Sequence, residues 1–136
     1  MTVRTFEQIR LFNAYSHLYL RQNPVNERTK LGYAIRRVQE SKSFANVLWQ
    51  YNHELDCIRI DNALIDEKTK EVILAEKSNR PYKYDTEGLK KVSEEENDFA
   101  KEWDKNEFEI SCYYVKELPE DMDEIMKEHL TGFVIE

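Results

Sequence analysis

Hydrophobic side chains at the start of the chain recur at helical spacing. Thr5-Phe6-Glu7-Gln8 has the form of a capping box, in which the Thr5 hydroxyl binds the Gln8 amide and the Gln8 side chain reaches back. A helix is predicted from there to about Arg21. It should end at Asn23-Pro24, because proline has no amide hydrogen and disfavours helix at the residue before it.

A second helix is predicted from about Asn26, and its apolar positions follow a nearly heptad pattern. These positions are Leu31, Ile35, Val38, Ala45, Leu48 and Leu55. Ser41-Lys42-Ser43 is a possible kink within it. An unbroken helix of this length would be about 40 Å long, too long for one small chain to bury. Homo-oligomerisation as a dimer or higher assembly is therefore expected.

From Cys57 the pattern changes to an alternation with a period of two. Ile58, Ile60 and Leu64 alternate with more polar neighbours, a polar turn follows at 66–69, and a second apolar run covers 71–75. This pattern predicts a β-hairpin.

Three further elements and a final apolar run complete the prediction. Asp85 or Thr86 can cap a third helix, and 108–114 alternates as a strand should. A short last helix should begin at Pro119 and stop at Gly132, and 133–135 can add an edge strand. The order of elements predicts a single α+β domain over 1–136, with two N-terminal helices, one of them long, followed by a small mainly antiparallel sheet and two more helices. Residues 1–55 form a helical oligomerisation half in this prediction, and 56–136 form an α+β half.

The net charge of −7 hides an asymmetry between the two parts of the chain. Residues 1–60 hold nine Lys and Arg against five Asp and Glu, which is +4, while 61–136 hold eleven against 22, which is −11. Seven of the eight arginines lie in the first part. The total charge disfavours binding to a nucleic-acid polymer or to an anionic membrane. The basic helices either pack beside acidic neighbours or line an anion site.

Cysteine usage and hydropathy indicate the compartment. Cys57 and Cys112 each lie in an apolar, strand-like context, which predicts two buried free thiols and a reducing environment. The N-terminus has no secretory apolar region, and no stretch approaches about 18 apolar residues. A cytoplasmic protein without membrane association is expected.

Catalytic motifs are not found in the sequence. The three histidines are scattered, no CxxC pair exists, and three glycines cannot form either of the common phosphate loops. Cys57 follows His53 by four residues but has no orienting partner. We therefore expect that the protein is not an enzyme and that it binds neither a metal nor a cofactor.

One constellation fits a bound nucleotide, which needs a flat ring for the base, cations for phosphates and polar groups for the ribose. Its members are Tyr82 and Tyr84 with Arg80 in one loop, Arg28, Arg36 and Arg37 on the second helix, and Asp61 and Asn62 on the hairpin. The alternative is that the tyrosines pack on their own sheet and the arginines extend along the helix surface.

The layout of the chain resembles that of a known family. The features that carry the resemblance are two N-terminal helices, the hinge at Asn23-Pro24, the basic segment 28–37 and a hairpin beginning Ile58-Arg59-Ile60-Asp61-Asn62. Together they resemble the first described family of phage anti-Thoeris proteins. The likeness is one of layout over most of the chain. It implies a non-enzymatic protein that sequesters cyclic ADP-ribose isomers made by bacterial TIR-domain proteins, with cyclic di- or trinucleotides in separate sites of some members. It also implies dimers that join into higher oligomers. On this resemblance, Arg28 matches a phosphate-binding arginine and Tyr82 a base-stacking aromatic.

The functional hypothesis is an oligomeric, phage-encoded binding protein in the host cytoplasm that traps a nucleotide-derived immune signal. The alternative is an acidic inhibitor of the immunity or anti-CRISPR type that docks on a basic enzyme. The acidic part at 61–136 is the feature that favours this alternative.

Overall fold

The computed structural model describes residues 1–22, 24–75 and 81–136 of the chain. Five α-helices, one 3-10 helix and two strands are assigned within these ranges. In chain order they are β1 Thr2–Thr5, α1 Phe6–Gln22, the 3-10 helix Pro24–Arg28, α2 Lys30–Glu40, α3 Lys42–Asn62, α4 Thr86–Lys105, β2 Glu107–Ile110 and α5 Glu124–Leu130. The predicted α+β class is confirmed.

The chain divides into two compact units. The first unit comprises 1–48 and 104–136, and the second comprises 49–103. Helices α3 and α4 each contain residues of both units. The assignment of an oligomerisation half to 1–55 and an α+β half to 56–136 stays a prediction, as does homo-oligomerisation.

The core of the first unit is built from aromatic and branched side chains. Phe12 of α1 stacks on Phe133 with ring centroids 4.4 Å apart and meets Phe44 of α3 edge to face at 5.7 Å. Other fully buried members come from α1, α2, β2 and the C-terminal segment: Ile9, Ile35, Val38, Ile110, Leu130 and Val134. This core joins the two ends of the chain.

Within the described ranges, the sheet consists of β1 and β2. The two strands pair antiparallel, with Thr2 opposite Ile110 and Thr5 opposite Glu107. The capping box then starts α1 as predicted, because the Gln8 amide donates to Thr5 Oγ1 at 3.2 Å and the Thr5 amide donates to Gln8 Oε1 at 2.9 Å. The predicted strand at 108–114 exists but ends at Ile110, and its partner at the N-terminus was not predicted.

The predicted long helix is divided into two at Ser41. Ser41 has an extended ψ of 144°, and its hydroxyl donates to the Val38 carbonyl at 2.6 Å, which ends α2. The Ser41 carbonyl then accepts the first hydrogen bond of α3, from the Ala45 amide at 2.9 Å. The expected start at Asn26 is also wrong, because the 3-10 helix occupies that position and Thr29 caps α2.

The predicted first strand of the hairpin is wrong, because α3 continues to Asn62. A short alternation of apolar residues does not separate strand from helix where no helix-breaking residue intervenes. Cys57 is exposed on this helix, so its predicted burial is wrong, although both cysteines are free and Cys112 is half-buried. The predicted polar turn is correct, since Asp66 Oδ1 accepts the amides of Lys68 and Thr69.

Helix α4 packs against the second half of α3 within the second unit. Tyr51 of α3 stacks on Phe99 of α4 at 5.2 Å and meets Trp103 edge to face at 5.5 Å. Arg59 donates to Glu96 at 2.9 Å on the same pair of helices. The predicted start of α4 is correct, because Asp85 Oδ1 accepts the Gly88 amide at 2.6 Å.

The C-terminal prediction is partly wrong. Helix α5 begins at Glu124 and not at Pro119, because the side chain of Asp123 caps it by accepting the Ile125 amide at 2.8 Å. The predicted stop is correct, since Gly132 follows with a φ of +89° that favours glycine. Residues 131–135 form a turn closed by a bridge between Thr131 and Ile135, in place of an edge strand. Among the described residues, no helix is long and apolar enough to cross a bilayer.

Candidate anion-binding cavity

A cavity of about 410 Å³ opens beside α2 in the first unit. One side is a helical stripe at positions i, i+3, i+4 and i+7, a spacing that places side chains on one face of a helix. This stripe consists of Lys30, Tyr33, Ala34 and Arg37, and the other side is formed by 113–117. The opposite face of α2 is buried in the core through Leu31, Ile35 and Val38. Burial of that face therefore orients the stripe toward the cavity.

The N-terminus of α2 is fixed by local hydrogen bonds and a close backbone approach. Thr29 Oγ1 accepts the Gly32 amide at 3.0 Å and donates to the Asn26 carbonyl at 2.8 Å. A Cβ atom at Gly32 would collide with the backbone carbonyl of Asn26. Glycine lets the 3-10 helix approach α2, and this contact sets the position of Lys30.

The opposing segment is held in place by the C-terminus. The amides of Tyr113 and Val115 donate to the carbonyls of Phe133 at 2.9 Å and of Val134 at 2.8 Å. The hydroxyl of Tyr114 donates to the Gly132 carbonyl at 3.2 Å. Backbone pairing to a buried turn thus fixes the aromatic side of the cavity before any ligand arrives.

Cationic side chains outnumber carboxylates at the cavity, although the whole chain carries −7. Lys30, Arg37 and Lys116 line it together with one carboxylate, Glu117. The guanidinium of Arg37 lies 4.7 Å from the centroid of the Tyr113 ring. Neither Lys30 nor Arg37 forms an ion pair within the described ranges of the chain.

The cavity presents accessible aromatic surface beside its cationic groups. Two of its tyrosines present accessible rings, with Tyr33 57% and Tyr114 44% exposed. Flat rings beside flexible ammonium groups and a planar guanidinium are complementary to an aromatic base that carries phosphate. The volume falls within the usual range of small-molecule sites, which is about 300–1,000 Å³.

Three predicted site residues lie in the first unit. Arg37 lines the cavity. Its neighbour Arg36 is exposed and pairs with Glu27 at 2.9 Å. Arg28 is exposed at the end of the 3-10 helix and does not line this cavity.

The other predicted site residues lie in the second unit, except Arg80, which falls outside the described residues. Asp61 and Asn62 are in the last turn of α3 and not on a hairpin. Asn62 donates to the Ile58 carbonyl at 2.9 Å and to Glu95 at 3.0 Å, so its amide hydrogens are engaged within the unit. Tyr82 and Tyr84 are half-buried in the segment before α4.

The hydroxyl of Tyr82 donates to Asp56 Oδ1 at 2.7 Å. This hydrogen bond, reinforced by burial and by the Asp56 charge, raises the pKa of Tyr82 above its ordinary value of 10.0. A raised phenol pKa in the folded state means stabilisation that is complete below pH 10 and is lost as the pH rises through the folded-state pKa.

We expect Tyr82→Phe to lower the free energy of unfolding by about 1 kcal/mol at neutral pH, because one partly buried hydrogen bond is lost. The difference between wild type and variant should shrink as the pH rises above 10. Urea unfolding from pH 8 to 11 measures it, and the same substitution in an Asp56→Asn background should lose most of its pH dependence. A difference that stays constant over this range would contradict the assignment.

Sequence reasoning did not find most of the cavity. Lys30, Tyr33, Tyr113, Tyr114 and Lys116 were not singled out. The positions 30, 33, 34 and 37 were readable as one helical face, but the strand prediction at 108–114 gave no reason to bring the tyrosines to it.

Metal ligands are not grouped in the described part of the chain, where no cluster of three or more His, Cys, Asp or Glu residues could hold an ion. Comparison with family models, with curated proteins and with solved structures gives no match for this chain.

Proposed function

We propose that this protein is a non-enzymatic binding protein that sequesters a nucleotide-derived anion in the cavity beside α2. The resemblance to phage anti-Thoeris proteins suggests cyclic ADP-ribose isomers as the first ligands to test, and a role for a phage protein in the cytoplasm of its host. We also propose that the binding form is a homo-oligomer.

One observation carries the proposal: the Arg37 guanidinium stacks on Tyr113 in a cavity where three cations face a single carboxylate. Arg36, the neighbour of Arg37 on α2, pairs instead with Glu27 at 2.9 Å and does not line the cavity. Contact with the Tyr113 ring favours positions of the Arg37 guanidinium beside the cavity, which reduces the entropy lost when it binds phosphate.

The aromatic lining supplies the second half of the recognition. The rings of Tyr33, Tyr113 and Tyr114 border the same cavity as the cations. A purine can stack on such a ring while its phosphates reach the ammonium and guanidinium groups. Neither a phosphate ion alone nor a neutral base would satisfy both sets of groups.

Sequestration acts by mass action. The free concentration of the bound molecule falls only if the protein is abundant and its Kd lies below the working concentration of the signal. No bond in the ligand needs to change, so release should return the original molecule.

Calorimetric titration with cyclic ADP-ribose isomers, followed by heat denaturation and chromatography of the released ligand, tests the proposal. Tight binding with recovery of intact ligand is the expected result. Recovery of altered ligand would contradict a binding role and indicate an enzyme. Absence of heat with every nucleotide tested would also contradict it, and would favour the acidic inhibitor that docks on a basic partner.

A further inference from the structure

A second cavity of the first unit has the opposite electrical character. It encloses about 440 Å³ between α1, the 3-10 helix and the segment leading into α5. Its charged lining residues are two carboxylates, Asp121 and Asp123, and no Lys, Arg or His lines it among the described residues. An anion that fits the cavity beside α2 is therefore repelled here.

We propose that this second cavity binds a small amphipathic organic cation, an ammonium or amidinium with an apolar body. The inference does not depend on the function proposed for the anion cavity. Three features of the lining carry it: π faces, unused acceptors and uncovered apolar surface.

Aromatic and thioether groups form the walls. Tyr15 and Tyr19 come from α1, and Met122 and Met126 come from the opposite side. One face of the Tyr15 ring is stacked on His129 with centroids 4.4 Å apart, so a ligand would meet the other face or the ring edge. Tyr19 and Met126 are each 5% exposed, so they are fixed parts of the wall. Tyrosine faces attract cations that have left water, and thioethers adapt to irregular apolar shapes.

Several polar groups of the cavity can accept hydrogen bonds. Asn26 Nδ2 donates to the Tyr19 carbonyl at 3.0 Å, which leaves Asn26 Oδ1 as an acceptor. Asp123 uses one carboxylate oxygen to cap α5 by accepting the Ile125 amide. Its other oxygen and the Asp121 carboxylate remain acceptors for a ligand with N–H groups.

Apolar side chains at the edge of the cavity decide between a metal ion and an organic cation. Leu18 is 47% and Ile125 is 53% exposed, and both line the cavity. A hydrated metal ion would leave these side chains in water, whereas an apolar body would cover them. Carboxylates that are solvated and not clustered with further ligands also favour the organic cation.

The test is a set of titrations with three probes of similar shape: 2-phenylethylammonium, 2-phenylethanol and 3-phenylpropanoate. We expect the ammonium to bind at least about tenfold more tightly than the neutral alcohol, because charge adds to the same apolar contact. The propanoate should bind most weakly. Saturable binding is followed by calorimetry or by ligand-observed NMR.

The variant D121N/D123N should lose most of the preference for the ammonium over the alcohol. Asparagine is as good an N-cap as aspartate, so α5 should keep its start and the fold can be checked by circular dichroism. Ile125→Lys, at a half-exposed position, should likewise weaken binding of the ammonium probe and should not weaken binding of the propanoate. Glu40→Gln, which changes the net charge by one unit as Ile125→Lys does, lies at an exposed position that does not line the cavity and serves as the matched control.

Absence of saturable binding of the ammonium would overturn the proposal, as would equal binding of the alcohol or the propanoate. A preference that survives in both folded variants would overturn it as well. Loss of the preference in Glu40→Gln to the same extent would show a general charge effect and would also contradict it.

Discussion

Arg37→Ala is expected to weaken nucleotide binding by about 10- to 100-fold, whereas Arg36→Ala leaves it within about twofold. The two arginines are neighbours on α2 and both are exposed, but Arg37 lines the cavity and Arg36 pairs with Glu27 outside it. Hydrogen bonds to charged groups contribute about 1.5–3 kcal/mol, which gives the expected range for the first variant. Calorimetric titration of both variants with a cyclic ADP-ribose isomer measures the difference.

Arg37→Lys separates charge from geometry. Lysine keeps the charge but cannot form a planar fork stacked on Tyr113, so we expect binding between that of wild type and that of the alanine variant. Equal losses for the alanine variants at 36 and 37 would contradict the role of the cavity.

Arg28→Ala distinguishes a binding site in the cavity beside α2 from the binding site that the family resemblance implies. The resemblance places Arg28 against a phosphate-binding arginine, and on that basis its removal should weaken binding by a few kcal/mol. Arg28 does not line the cavity beside α2, so the cavity predicts nearly wild-type affinity. A large loss in Arg28→Ala with none in Arg37→Ala would move the site away from this cavity.

Phe12→Ala is expected to lower the free energy of unfolding by about 3–5 kcal/mol. The ring is fully buried and contacts both Phe44 and Phe133, so truncation removes apolar burial and two ring contacts and leaves a cavity. Such a loss is a large fraction of the total stability of about 5–15 kcal/mol of a domain. It should also weaken ligand binding, because Phe133 belongs to the turn that holds the segment 113–117.

Leu18→Ala on the same helix is the matched control for stability. Leu18 is 47% exposed, and leucine and alanine have similar helix propensities, so we expect a loss below about 1 kcal/mol. Urea unfolding followed by circular dichroism measures both variants. A loss in Phe12→Ala no greater than that in Leu18→Ala would contradict the assigned core.

Elements whose start or end is set by nearby capping or turn residues could be predicted from the sequence. The capping box at Thr5, the cap at Asp85 and the turn at Gly132 each depend on residues within a few positions of one another. Their physical cause is therefore present in a short window. The α+β class rested in addition on the alternation at 108–114, part of which lies in β2.

Elements that depend on competition or distance could not be predicted. The break at Ser41 could be named only as a possible kink at 41–43, because a serine side chain fits within a continuous helix or can bind the Val38 carbonyl and end it, and its neighbours do not decide between the two. Strand β1 exists because β2 pairs with it from more than 100 residues away. Apolar positions at 58 and 60 fit a strand or a helix equally over so short a stretch.

Among the described residues that the sequence analysis proposed for a site, Arg37 alone lines the candidate cavity. Arginine and tyrosine do meet at a cavity, yet the tyrosine is Tyr113 and not Tyr82, whose hydroxyl is bound to Asp56. The pairing of the segment 113–117 with the C-terminal turn brings Tyr113 to α2. That pairing leaves no trace in the local sequence around either partner.

Chemical-shift mapping of the isotope-labelled protein with a cyclic ADP-ribose isomer tests the central claim most directly. We predict saturable shifts that are largest at Lys30, Tyr33, Arg37 and the segment 113–116, where the ligand would contact the cavity beside α2. Saturable shifts centred on other residues, or no shifts at any ligand concentration, would contradict the account.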